Sequence, residues 1–165
     1  MNPIQHTTIK TPVGDLAILL DDGVVVASGF TSVEDQASRL DAATRSRGLE
    51  RREDLGLVSR AVADYFAGDV GALDAVEVKQ AGGPFLQEAW RVMREVPAGQ
   101  TWTYSELAAK AGRPSAIRAA ASACARNMVA PFVPCHRIVR SDGTLGGYYY
   151  GLDVKRWLLA HEGQD

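Results

Sequence analysis

The sequence predicts an α+β fold in two parts: a small N-terminal lobe built on a mostly antiparallel sheet, then a mainly helical C-terminal lobe. Three observations carry this. Residues Asp15–Phe30 alternate in character and set Asp22-Gly23 between two Leu/Ile/Val-rich runs, which is a hairpin signal. Beyond the joint Gln80-Ala81-Gly82-Gly83-Pro84 the apolar spacing becomes helical almost throughout. Net charge changes sign there as well: residues 1–83 hold 8 Lys/Arg against 13 Asp/Glu (net −5), and residues 84–165 hold 10 against 7 (net +3). The expected domains are therefore 1–80 and 84–165.

The elements follow in order. After the hairpin, Thr31 opens a Thr-x-x-Glu box with Glu34, and Val33, Ala37 and Leu40 continue at helical spacing. A second helix runs through Val58, Val62, Tyr65 and Phe66 and stops at Gly68. Leu73–Lys79 reads as another short strand. Past the joint, Pro84 suits a first helical turn, and Phe85, Ala89, Trp90 and Met93 share a face until Pro97-Ala98-Gly99 breaks the helix. Thr103-x-x-Glu106 is a second capping box, opening a helix over Tyr104–Ala111 that Gly112 ends. Pro114 or Ser115 then starts an Ala-rich helix through Arg126. Two short helices about a glycine turn form a helix-turn-helix signal, and helical hairpins with no DNA role share it.

Composition sets the bounds. The chain has 165 residues, 46% apolar and 23% charged, which is ordinary for a globular protein. No apolar run approaches the roughly 18–20 residues a membrane helix needs, so no membrane partner is expected. Cys124 and Cys135 are too few for a disulfide scaffold. Met1–Lys10 lacks the apolar core of an export signal, so a reducing cytoplasm is expected, where a thiol stays free to react. Cys124, Cys135, His6, His136 and His161 lack the paired spacings of a zinc site, so no metal is expected. A net charge of +3 is by itself weak support for nucleic-acid binding.

The chemistry-bearing segment is Val133-Pro134-Cys135-His136-Arg137-Ile138-Val139. A thiol attacks as thiolate, and a reference pKa of about 8.5 leaves little of it ionised at neutral pH. Activation needs a base, and His136 is adjacent. On a regular strand adjacent side chains point to opposite faces, so a direct pair requires a bend or a bridging water. Pro134 favours such a departure from ladder pairing. Taken alone, a Cys-His dipeptide is more often a packed thiol beside a surface imidazole than a catalytic pair.

Neighbouring stretches change the weight of that dipeptide. Pro134-Cys135-His136-Arg137 resembles the active-site signature of the O6-alkylguanine-DNA alkyltransferases, the methylated-DNA–protein-cysteine methyltransferases. The likeness extends upstream through Thr103-Tyr104-Ser105-Glu106-Leu107-Ala108, Arg118-Ala119-Ala120-Ala121-Ser122-Ala123 and Asn127. Downstream it runs through Gly143, Gly146-x-Tyr148 and Lys155-x-Trp157-Leu158-Leu159-x-x-Glu162-Gly163. It covers about residues 84–165, while residues 1–80 match only in general size and character.

The resemblance implies a DNA-repair transferase, with a winged-helix-like C-terminal lobe, that moves an alkyl group from guanine O6 onto its own cysteine, once per molecule. It implies Cys135 as nucleophile and acceptor, His136 as base through a water, and Glu162 as the group that orients His136. Tyr104 would protonate guanine N3 as the base departs and press on the target's phosphate. Arg118 would fill the stack position left by a flipped base, with Ala119, Ser122 and Ala123 letting the helix approach the minor groove closely. Asn127 would tie the helix-turn-helix to the active-site segment. The pocket is expected from Asn127, Val133, Pro134, Ile138, Tyr148, Tyr149 and Tyr150. The implied partner is double-stranded DNA carrying O6-alkylguanine, met by a monomer, and no cofactor is implied.

Three departures stand out. The loop reads Gly147-Tyr148-Tyr149-Tyr150-Gly151, with Tyr150 where the family usually has glycine, and a narrower pocket is expected. Met128 follows Asn127 where proline is common. The N-terminal lobe has no Cys and only His6, so the zinc some members carry there is not expected. Three other readings use the same residues. A lesion binder of this fold would lack the acceptor cysteine, a thiol hydrolase would need an oxyanion hole, and a transcriptional regulator would need a dimerisation segment.

Overall fold

A computed structural model of the chain describes residues 2–163. The chain divides into two compact units. One holds the chain up to Gln80 together with Met128–Phe132, and the other holds Ala81–Asn127 and the chain from Val133 onward. The short segment Met128–Phe132 thus belongs with the first unit, inside the range that sequence alone assigns to the second.

The first unit is built on strands β1 (Ile4–Thr11), β2 (Gly14–Asp21), β3 (Val24–Gly29) and β4 (Leu49–Arg51), in the order β3-β2-β1-β4. The pairs β1–β2 and β2–β3 are antiparallel, and β1–β4 is parallel. Asp22 and Gly23 both take positive φ (51° and 84°), the two-residue turn whose twist matches a hairpin. Central strand β2 is buried from Leu16 through Leu20, a continuous run rather than an alternation, as a strand covered on both faces requires. Helix α1 (Val33–Ser38) seats Ala37 in a cluster with Ile4, Leu19, Ala27 and Leu40.

Two expectations for this unit need correction, and two strands were not anticipated. The cap of α1 is Ser32, whose hydroxyl accepts from Asp35 N, and Thr31 instead donates to the Asp35 carboxylate, so the N-cap sits one residue later than the Thr31/Glu34 pattern suggests and no reciprocal box forms. Leu73–Lys79 is a run of turns with a single parallel bridge, Val78 to Val25, because its hydrogen bonds to the sheet stop at Val25 N→Glu77 O and Lys79 N→Val25 O. Strands β1 and β4 lie in segments whose polar content hides them. A four-residue helix α2 (Ala42–Arg45) precedes β4, and α3 (Leu57–Phe66) turns Val58, Val62 and Tyr65 inward.

In the second unit, α4 (Pro84–Met93) starts with proline at its first turn and buries Ala89, Trp90, Val92 and Met93. The Trp90 indole N–H donates to Ala123 O at 2.9 Å. Helix α5 (Tyr104–Lys110) opens on a complete capping box between Thr103 and Glu106. Helix α6 (Ile117–Ala125) begins two residues later than Ser115, because Ala116 N closes a turn onto Arg113 O and no side chain caps the helix. Short strands β5 (Trp102–Thr103) and β6 (Ile138–Val139) pair in parallel, and α7 (Leu152–His161) closes the unit. Among the described residues no helix is long and apolar enough to cross a membrane.

Candidate active site

The reactive segment is a turn and not a strand. Pro134 (φ −85°, ψ 64°) leads into a single 3-10 turn over Cys135–Arg137, closed by Arg137 N donating to Pro134 O at 2.9 Å, before Ile138 returns to β6. This is a bend of the kind that frees Cys135 and His136 from opposite faces of a strand. All three turn residues are buried, and Cys135 retains 7% exposure.

Behind the turn lies a cluster of buried ionisable groups. Glu162 caps the C-terminus of α7 and is reached from the two turn residues that follow Cys135. Its Oε2 is 2.8 Å from His136 Nε2. Arg137 donates Nε to Oε1 at 2.8 Å and a terminal nitrogen to Oε2 at 3.0 Å, and its other terminal nitrogen donates to Val96 O at 2.8 Å. Burial works against an ionised Glu162, but hydrogen bonds and positive charge from His136 and Arg137 outweigh it and push the carboxyl down to about 2. An ionised carboxylate only accepts, so Nε2 of His136 carries the proton and Nδ1 offers its lone pair. Nδ1 is buried and makes no hydrogen bond within the described protein. Desolvation lowers the His136 pKa, holding the ring neutral and basic near pH 7.

Cys135 opens onto a cavity of about 480 Å³ that Tyr104, Ala121, Cys124, Ala125, Arg140, Gly147, Tyr148 and Tyr149 also line. The loop forming one wall is pinned by Lys155, fully buried, whose ammonium donates to Ile138 O (2.8 Å), Gly147 O (3.2 Å) and Leu145 O. Gly146 (φ 74°) passes so close to Tyr104 that a Cβ there would sit 2.7 Å from the phenol oxygen, so only glycine admits this contact. Burial above all raises the Tyr104 pKa to about 12, so the phenol keeps its proton at neutral pH. Burial also pushes the Cys124 thiol well above its usual range, with Cys135 adding to it, so Cys124 stays protonated.

The other expected site residues divide by position. Tyr148 and Tyr149 line the cavity. Asn127 lies behind it, donating Nδ2 to Val133 O at 2.8 Å, and Val133, Pro134 and Ile138 are buried parts of the turn's frame and not lining. Tyr150 is also off the lining. Its ring packs edge-on against Tyr148 and Tyr149 at centroid distances of 5.7 and 4.8 Å, and its φ is not positive, so the backbone here does not demand glycine. On α6, Arg118 is exposed and Ala119 and Ser122 are half-buried. Ala123 is fully buried, which corrects its expected place on a DNA-facing surface: at 100° per residue it falls beside Ala120 on the inward face.

Several contributors carried no role in the sequence reading, Cys124 among them. Arg137 and Lys155 were visible only as motif letters. Ala121 and Ala125 fall three and seven residues after Arg118, a helical spacing that would have placed them on its face. Arg140, just past β6, had no local signal.

Comparisons with known proteins bear on the family and the fold. Residues 84–164 match the family model described as 6-O-methylguanine DNA methyltransferase, DNA binding domain. A methylated-DNA–protein-cysteine methyltransferase of Salmonella typhimurium is 39% identical over 159 residues, spanning 94% of this chain and 93% of that one. Another, from Methanosarcina acetivorans, is 33% identical over 97% of this chain and 99% of its own. The Mycobacterium tuberculosis O6-methylguanine methyltransferase has a similar fold, with a TM-score of 0.78 and 28% identity over 96% of this chain and 92% of that chain. The fold and the buried cysteine site define a protein of the alkyl-accepting DNA-repair class. The chain belongs to the methylated-DNA–protein-cysteine methyltransferase family.

Proposed function

We propose that this protein repairs DNA by taking the alkyl group of O6-alkylguanine onto Cys135, once per molecule. The observation that carries the reading is the ordered set Cys135, His136, Glu162 with a neutral imidazole whose free nitrogen is Nδ1, opening on a cavity with a protonated phenol. His136 Nδ1 takes the thiol proton through a water, and Glu162 holds the ring and stabilises its positive form. The sulfur attacks the alkyl carbon in line, an S–C bond forms, and the C–O6 bond breaks with its electron pair left on oxygen. Tyr104 gives its proton to guanine N3, so the base leaves neutral, and the proton held by His136 restores the phenol. The thioether stays on Cys135, which ends the protein's activity.

A guanine inside a duplex cannot reach a thiol that is 7% exposed, so the nucleotide is flipped out. Helix α6 lies in the minor groove in this reading, with exposed Arg118 filling the emptied stack and Ala119 and Ser122 allowing close approach. One copy acts per lesion. Neither Cys124 nor Cys135 is in a disulfide, which suits a reducing cytoplasm.

The test is a duplex carrying radiolabelled O6-methylguanine. Label should move to the protein, at no more than one equivalent, and Cys135→Ala should receive none. Binding without transfer by the wild type would instead make it a lesion binder, and repeated turnover would contradict a single-use acceptor.

A further inference from the structure

Arg140 is the one charged residue among the described residues that line the acceptor cavity. The rest of the lining is aromatic, small or thiol. Other cations close behind the site are committed: Arg137 to Glu162 and Val96 O, Lys155 to three loop carbonyls. The Arg140 guanidinium is exposed, and among the described residues it makes neither ion pair nor hydrogen bond. The acid nearest to it in sequence, Asp142, accepts from the backbone and hydroxyl of Thr144. The backbone beneath Arg140 is nonetheless fixed. Its N–H donates to Thr144 O at 3.0 Å, and its carbonyl accepts from Gly143 N at 3.1 Å. A held backbone that presents an uncommitted planar fork at a cavity mouth is suited to a bidentate oxyanion.

We propose that Arg140 binds the backbone phosphate of the nucleotide whose base enters the cavity, and so positions that base for transfer. The inference rests on the alkyl-transfer reading above. Two anions could be offered to this site, a phosphate of the extruded nucleotide or a carboxylate carried by the adduct itself. An adduct must travel inward to the buried Cys135, whereas phosphates stay at the mouth, where Arg140 is exposed. The observations therefore favour phosphate.

The test compares O6-benzylguanine as a free base with the same adduct in a duplex, for wild type, R140A and R140K, measured as single-turnover second-order rates. The two substrates share the reacting bond and differ in the backbone. The duplex-to-free-base rate ratio should fall roughly tenfold in R140A, and partly recover in R140K, which keeps charge and loses the fork. The slope of log rate against log salt on duplex should become shallower by about one. An unchanged ratio, through equal loss on both substrates or loss on neither, would overturn the assignment. So would a defect seen with free O6-carboxymethylguanine, run as a third substrate, and not with O6-benzylguanine in either form, which would put the anion on the adduct. Failure of the wild type to accept benzyl from either substrate would strike the alkyl-transfer reading itself.

Discussion

The two units solve the problem of polar groups in different ways. In the first, the strong ion pair sits near the surface: Arg47 holds Asp21 through two bonds of 2.9 and 2.7 Å, with both side chains half-buried. Its buried polar residues are the uncharged Thr7, Ser28, Gln36 and Gln80. The second buries His136, Arg137, Lys155 and Glu162. Desolvating charges is expensive, and a fold that only needed stability could fill that space with apolar side chains. The difference teaches where the chemistry lies. Ionisable groups are buried where a neutral imidazole must be held in one tautomer and a loop must be held open beside a thiol.

Breaking the buried cluster should have the largest effect. Arg137→Met leaves Glu162 buried with its main positive partner gone, and should destabilise the protein by roughly 3–5 kcal/mol in urea unfolding. Arg47→Met, on the surface pair, should move the midpoint far less. Equal shifts would erase the contrast between the units.

Next in size is Lys155→Met. It removes the donor to three carbonyls, Ile138, Leu145 and Gly147, and should lower stability by about 2–3 kcal/mol. Because Gly147 lines the cavity, the single-turnover rate should fall as well. A stable Lys155→Met protein with a normal rate would mean that the loop holds itself.

Acid sharpens the comparison further. His136 has its pKa lowered on folding, so below its ordinary value of 6.5 the unfolded chain takes up the proton first, and stability is lost as pH falls through the depressed native value. Glu162 acts in the same sense: held at about 2 in the fold against an ordinary 4.5, it contributes stability above 4.5 that is lost as pH falls toward 2. Acid titrations followed by circular dichroism should show the second loss flattened in Glu162→Gln. An unflattened curve would assign the acid limb to other carboxylates.

The smallest effect concerns the loop. Tyr150 supports Tyr148 and Tyr149 from outside the lining, so Tyr150→Gly should change the ratio of benzyl to methyl transfer by less than about tenfold. Identical ratios in the two proteins would remove Tyr150 from any role in selecting adducts.

Much of this molecule was written locally. Asp22-Gly23 can adopt the paired positive φ angles of a hairpin turn. Thr103 and Glu106 cap each other across three residues, and Pro84 begins a helix because its missing N–H is not needed there. Cys135 and His136 were legible as adjacent letters in a motif. Each of these depends on neighbours within about one turn of chain. Strand β1 was not legible, because its polar residues mask a partner found only in β2 and β4.

Tertiary structure alone decided the rest. Glu162 meets His136 across 26 residues, and Lys155 reaches Ile138 O across 17. Ala123 turns inward while Ala121 faces the cavity, although both sit in one alanine-rich run. Arg140 stands at that cavity with its fork uncommitted. The reason is physical: burial and pairing over such separations are set by which surfaces pack together, and a charge survives burial only where packing delivers its partner.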